Sequence, residues 1–310
     1  MKRIFPLSIK LILAFFWLLT IGNLYSQNQK TTDKTLFGKS IVAKAKNQKN
    51  EVIRCATVEY EQYLQEKNPK RMTNAQFETW LAPLVEKQIA ARKSAKTLAT
   101  TIITIPVVVH VIHNGEAIGT APNITDAQVE SQITVLNQDF RKMMGTPGHN
   151  TNPVGADVQI EFVLAKQDPN GNPTNGIDRV NMCQSSWPED GIEETVKPST
   201  IWDSTQYMNM WTVKFTRNDL LGYAQFPNSS GLDGLETSGG AANTDGVVSS
   251  YDVFGSNELG AGFLLASPYD KGRTMTHEGG HFLGLLHIWG DATCGDDYCA
   301  DTPIHHKENF

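Results

Sequence analysis

The sequence predicts an α+β domain preceded by a small helical segment. Three observations carry this: helical spacing from Val58 to Ile89, a change of texture near residues 97–100, and beyond it β-branched runs that alternate with helical stretches. In the first segment Tyr60, Tyr63 and Leu64 fall on one helical face and Pro69 interrupts the pattern. Thr73 then stands three residues before Gln76, the spacing of a reciprocal N-terminal cap. After the basic stretch Arg92 to Lys96, Ile102 to Ile112 is dense in β-branched residues and reads as a largely buried strand. Thr125-Asp126 caps a helix expected to reach about Met144, and strands are expected over Val158 to Ala165 and Asn209 to Phe215. Residues 167–178 and 227–246, rich in Gly, Asn, Pro and Ser, read as loops, and residues 27–50, with little periodicity, as a flexible segment.

At the N-terminus Lys2, Arg3 and Lys10 precede an apolar run from Leu11 to Leu19, with Leu24-Tyr25-Ser26 as a cleavage region. This is the pattern of a secretory signal peptide, and the run is short of the ~20 residues of a spanning helix. The expected organisation is a signal peptide over 1–26, a pro-segment over 27–97 and a catalytic domain over 98–310, in a protein that is exported without a stable membrane anchor. Residues 1–96 carry 17 Lys and Arg against 7 Asp and Glu, which leaves 10 against 26 for residues 97–310. An acidic main domain repels phosphate backbones, so nucleic acid is not an expected partner, whereas its own basic pro-segment is. Solubility alone also accounts for such a surface. Cys55, Cys183, Cys294 and Cys299 make an even count, and export permits disulfides, whose pairing the sequence leaves open.

His277, Glu278 and His281 form HExxH. On a helix, imidazoles at i and i+4 project from one face and can grip one metal ion. Zinc in a catalytic site takes three protein ligands and keeps one position for water. Gly284 lets the helix stop in a left-handed conformation, so the chain can double back and bring His287 to the same ion. Glu278, beside a ligand, is the candidate general base, activating the water and passing its proton to the leaving amine of a peptide bond. A bare HExxH also occurs by chance, but the added Gly and third His at these offsets point to a metal site. His110, His113, His149, His305 and His306 lack such spacing and read as core or surface residues.

The extended motif HEGGHFLGLLH over residues 277–287 resembles that of the metzincin clan of zinc metallopeptidases. Tyr207-Met-Asn-Met-Trp211, Leu221 to Pro227, Gly246-Val-Val248, Gly290-Asp291 and Asp301-Thr302-Pro303 are similar to the pappalysin family, especially its bacterial members. The resemblance covers most of residues 50–310. It implies a metzincin-like zincin fold, with a twisted mixed sheet and backing helices, endopeptidase activity on protein or peptide substrates, and structural calcium near the cleft. It also implies zinc held by His277, His281 and His287, with Glu278 as base. Ile53-Arg-Cys55 and the residues after it resemble a pro-segment whose cysteine plugs the zinc. A thiolate is a strong zinc ligand, so Cys55 is expected to hold the enzyme latent; a structural disulfide is the alternative. Asp297 and Thr302 resemble part of a calcium-binding stretch, with an acidic surface loop as the alternative.

The sequence departs from the clan's pattern at one point. Metzincins carry a methionine turn some tens of residues after the third histidine; here 23 residues follow His287 and all 8 methionines precede His281. Two readings are therefore carried: a secreted zinc endopeptidase made as a latent zymogen, and a secreted zinc-binding protein without catalytic activity. A cysteine hydrolase built on Cys55 is a remote third, because nothing places a histidine beside it.

Overall fold

A computed structural model describes residues 35–40, 52–94, 101–227, 242–300 and 302–306. The expected signal peptide and the boundary at 97–98 lie outside these residues. Residues 1–46 and 47–310 form separate compact units. In the first, β1 (Thr35–Leu36) and β2 (Lys39–Ser40) make a hairpin where a flexible stretch was expected. Phe37 and Gly38 both adopt positive φ, 49° and 76°, the backbone of a two-residue turn that Phe rarely signals. Among the described residues no helix is long and apolar enough to cross a membrane.

The second unit opens with α1 (Thr57–Lys67) and α2 (Asn74–Ser94). The expected reciprocal cap starts α2: the Gln76 amide donates to Thr73 Oγ1 at 3.3 Å, and the Thr73 amide donates to Gln76 Oε1 at 2.9 Å. The turn between the helices is fixed by a buried fork, Arg71 Nε and Nη2 to the two oxygens of Glu61 at 2.7 and 2.5 Å. Tyr60 is fully buried.

Behind these helices lies a six-stranded mixed sheet of β3 (Ile103–His113), β4 (Ile160–Leu164), β5 (Ile177–Asn181), β6 (Met208–Val213), β7 (Gly222–Ala224) and β8 (Val247–Ser250), in the order β4-β3-β6-β8-β7. All pairings are parallel except β7 with β8. The eleven residues of β3 are long enough for two strands to share one of its edges, β4 along its first half and β5 along its second. Both faces of β3 are covered, which explains its unbroken apolar run. Val107, Val109 and Val111 join Met208, Met210 and Val247 in the main core. On the other face His110, fully buried, stacks on Trp211 with ring centroids 5.1 Å apart and pairs with Asp178 and Asn209. β5, β7 and β8 escaped the sequence reading because strands of three to five residues are too short to show periodicity.

α3 (Asp126–Phe140) packs Val129, Ile133, Leu136 and Phe140 into that core. It stops short of the expected Met144. Lys142 takes φ 45°, its amide bonds Asp139 O, and the Met143 amide bonds Gln138 O, a left-handed cap without the usual glycine. Two buried glutamines of α3 then shape the chain leading to the HExxH motif. Gln128 holds the Phe254 carbonyl and Leu264 amide, and Gln132 holds the Gly255 amide and Gly272 carbonyl. Thr125 Oγ1 accepts from the Gln128 amide at 3.2 Å as the N-cap. Thr125→Ala is expected to cost about 1 kcal/mol of stability, read by urea denaturation; an unchanged midpoint would remove the cap's assigned role.

Candidate active site

A helical segment follows β5. It runs through α4 (Glu189–Gly191), a π turn (Ile192–Val196) and α5 (Lys197–Thr200), and Glu193 and Lys197 project from it into the interior. The motif itself is on α6 (Arg273–Phe282), which starts at Gly272 with φ 72° and packs against β7 and β8. Gly222 of β7 permits that approach, since a Cβ there would meet Val248 O at 2.7 Å and Glu278 Cγ at 3.4 Å. At its other end α6 closes in a full left-handed cap. Gly284, φ 96°, donates to His281 O at 2.9 Å, and the Leu285 amide donates to Gly280 O at 3.0 Å. The expected stop at Gly284 is thus present, and the chain turns back with His287 facing the helix.

The three imidazole Nε2 atoms form a triangle with sides of 3.0 Å (His277 to His281), 3.2 Å (His281 to His287) and 3.2 Å (His277 to His287). Tetrahedral zinc at ~2.0–2.1 Å from each nitrogen implies edges of ~3.3–3.4 Å, so this donor set fits zinc with little adjustment. The opposite nitrogens fix two of the rings. His281 Nδ1 lies 2.7 Å from Leu285 O, and His287 Nδ1 lies 2.5 Å from Asp291 Oδ1. Both acceptors favour a proton on Nδ1 and leave Nε2 as the metal-facing lone pair. Trp289 stacks on His287 at 4.2 Å. Burial, then the neighbouring His287, pushes His277 down to about 4 although the residue keeps some exposed area, and burial with the other two imidazoles pushes His281 well down. Neutral imidazole is the form that binds a metal.

Glu278 is fully buried, and that burial pushes its carboxyl up to about 8. Its Oε2 accepts from Thr57 Oγ1 at 3.0 Å and from Cys55 Sγ at 3.5 Å, while Oε1 has no hydrogen-bond partner. An orphaned carboxylate oxygen beside three converging imidazole nitrogens is what a site completed by a cation and water leaves behind. Cys55 joins the group: its Sγ and the three histidine nitrogens all lie within 4.8 Å of one another. Burial, then Glu278, pushes the thiol well up, and a coordinated metal acts in the opposite sense by taking the thiolate. Residues 53–56 are held beside the sheet by Ile53 N to Asp219 O (2.6 Å), Leu221 N to Ile53 O (3.0 Å) and Ala56 N to Gly222 O (3.0 Å).

The other expected residues stand apart from this centre. Asp297 Oδ1 accepts from the Cys299 amide and the Thr302 amide donates to Cys299 O, so the two expected calcium residues flank one local turn. Among the described residues, groups of three or more potential metal ligands occur only at Cys55, His277, His281 and His287. No disulfide joins the cysteines. Sequence reasoning missed Thr57 and Asp291 as functional residues. Asp291, four residues after His287, was signalled by an acidic residue at turn spacing; the contact of Thr57 with Glu278 spans 221 residues and left no local trace.

A mixed sheet with an antiparallel edge strand above a HExxH helix, closed by a glycine turn that returns a third histidine, defines the metzincin type of metallopeptidase domain. Residues 190–310 match the peptidase family M43 model described as pregnancy-associated plasma protein-A. Mature mirolysin of Tannerella forsythia, solved with a cleaved peptide, is 42% identical, with a TM-score of 0.55 over 67% of this chain and 73% of that one. A promirolysin mutant of the same organism is 36% identical over 76% of both chains, also at 0.55. The chain belongs to this pappalysin-like family. Extracellular metalloproteases of Arthroderma benhamiae and Verticillium alfalfae are 27% and 28% identical and cover 70% and 71% of the chain, which spans just under two thirds (64%) of each.

Proposed function

We propose that this chain carries the catalytic domain of a secreted zinc endopeptidase together with the pro-segment that keeps it latent. The observation behind the reading is the convergence of three imidazole Nε2 atoms at 3.0–3.2 Å beside the buried Glu278. His277, His281 and His287 are the zinc ligands, with Leu285 O and Asp291 orienting two of them. Bound zinc lowers the pKa of water and polarises a carbonyl. Glu278 then takes the proton of the attacking water and delivers it to the leaving amine. The backbone groups of Asp219, Leu221 and Gly222 that hold residues 53–56 offer the same bonds to an extended substrate once that segment leaves, a strand addition at the sheet edge. Until then Cys55 fills the position that water needs. Export rests on the leader pattern of residues 1–26 and on relatives named as extracellular enzymes.

Metal analysis of the purified full-length protein tests the centre. About one zinc per chain is expected, with sharp loss in each of His277→Ala, His281→Ala and His287→Ala. Full zinc retention in all three would remove the ligand assignment. One zinc per chain without hydrolysis of any peptide after pro-segment removal would select the non-catalytic zinc protein instead.

A further inference from the structure

Beside the metal-ligand group, a second buried constellation joins α1 to the domain behind it. Glu193 and Lys197 are 5% and 0% exposed and pair Oε1 to Nζ at 2.7 Å. The ammonium lies 4.8, 5.1 and 5.4 Å from the ring centroids of Tyr60, Tyr223 and Trp211. The Tyr223 hydroxyl donates to Glu193 Oε1 at 2.8 Å. The Tyr60 hydroxyl donates to Glu193 Oε2 and lies 3.1 Å from Gln225 Oε1. Its ring packs against Tyr223 at 5.0 Å. Every member except Tyr60 belongs to residues 98–310, so the group that completes the cluster is the one that departs with the pro-segment.

A buried ion pair is weak evidence for stability, since an apolar pair of equal volume usually serves as well. Here it is also set on a π turn, a rare geometry that is frequent at functional sites. When Tyr60 withdraws, Glu193 Oε1 keeps Lys197 and Tyr223, while Oε2 loses the phenol donor at the end of a slot walled by Tyr223. We propose that this slot is a side-chain subsite of the substrate cleft, selective for tyrosine, and that Tyr60 is its resident stand-in in the latent form. The inference rests on the peptidase reading. Phenylalanine fills the slot but leaves Oε2 without its donor. The distance from the reacting centre follows from α1. Thr57 touches Glu278, and Tyr60 lies one turn further, a rise of ~4.5 Å, so the selected tyrosine falls within about three extended residues of the cleaved bond.

The test uses the mature protein, pro-segment removed, carrying Glu278→Ala so that ligands survive. Calorimetry compares nine-residue peptides that differ only by Tyr or Phe at one site, scanned across three residues on either side of the bond cut by the unmutated enzyme or, if it cuts none, across the whole peptide. At one site tyrosine is expected to bind about tenfold tighter. In Glu193→Leu/Lys197→Met, which swaps the ion pair for apolar volume, that ratio should fall towards one with zinc content unchanged. Equal binding at every site, no binding of either series, or a preference that survives the double substitution would overturn the subsite. Tyrosine-selective binding by a protein that hydrolyses nothing would uphold the subsite and defeat the peptidase reading.

Discussion

Glu278→Gln in the mature enzyme is expected to lower peptide hydrolysis by roughly 10²- to 10⁴-fold while zinc stays near one per chain. The substitution keeps the size of the side chain but removes its capacity to accept a proton. Glu278 is not among the converging ligand atoms: its Oε2 is bonded to Thr57 and Cys55, whereas the nitrogens that face one another belong to the histidines. Metal content and turnover therefore separate. Burial holds this carboxyl near 8 while residues 53–57 cover it, and loss of that cover together with a nearby cation would bring it down, towards the range in which a base works at neutral pH. Turnover of Glu278→Gln within a few-fold of wild type, with zinc retained, would reassign the proton transfer to another group.

What was legible in the sequence was what local chemistry encodes. The Thr73–Gln76 cap, the Thr125 cap and the stop at Gly284 all appear where residue type and spacing placed them, because each bonds within one helical turn. The three histidines could be brought together on paper because ten residues, one helical repeat and one glycine suffice. Elements that depend on distant partners were not legible. β5 exists because β3 is long enough to host a second neighbour, and α3 ends on Lys142 because the following chain turns back, not because a glycine announces it. Thr57 looks in sequence like the first residue of a helix, and only the docking of residues 53–56 along the sheet edge brings it to Glu278.

Cys55→Ala in the full-length protein is expected to raise basal hydrolysis of a short peptide at least about tenfold and to speed maturation, because on the proposed latency the fourth position beside the histidines opens to water. The rise should stay below the activity of the mature enzyme. Two other holds remain in that variant: residues 53–56 still pair with Asp219, Leu221 and Gly222, and Thr57 Oγ1 still donates to Glu278 while accepting the Ala224 amide at 2.9 Å. A hydrogen bond donated to the base competes with its proton-accepting role, so Thr57→Val added to Cys55→Ala should raise activity further by freeing Glu278 and loosening α1 from β7. Activity is followed before any cleavage of the chain, with pro-segment processing monitored in parallel by mass spectrometry. If Cys55→Ala is as silent as the wild type and matures at the same rate, the thiol is not the plug. Latency would then lie in the covered sheet edge and the Thr57 contact, and the double variant, compared with Thr57→Val alone, would show which of the two holds it.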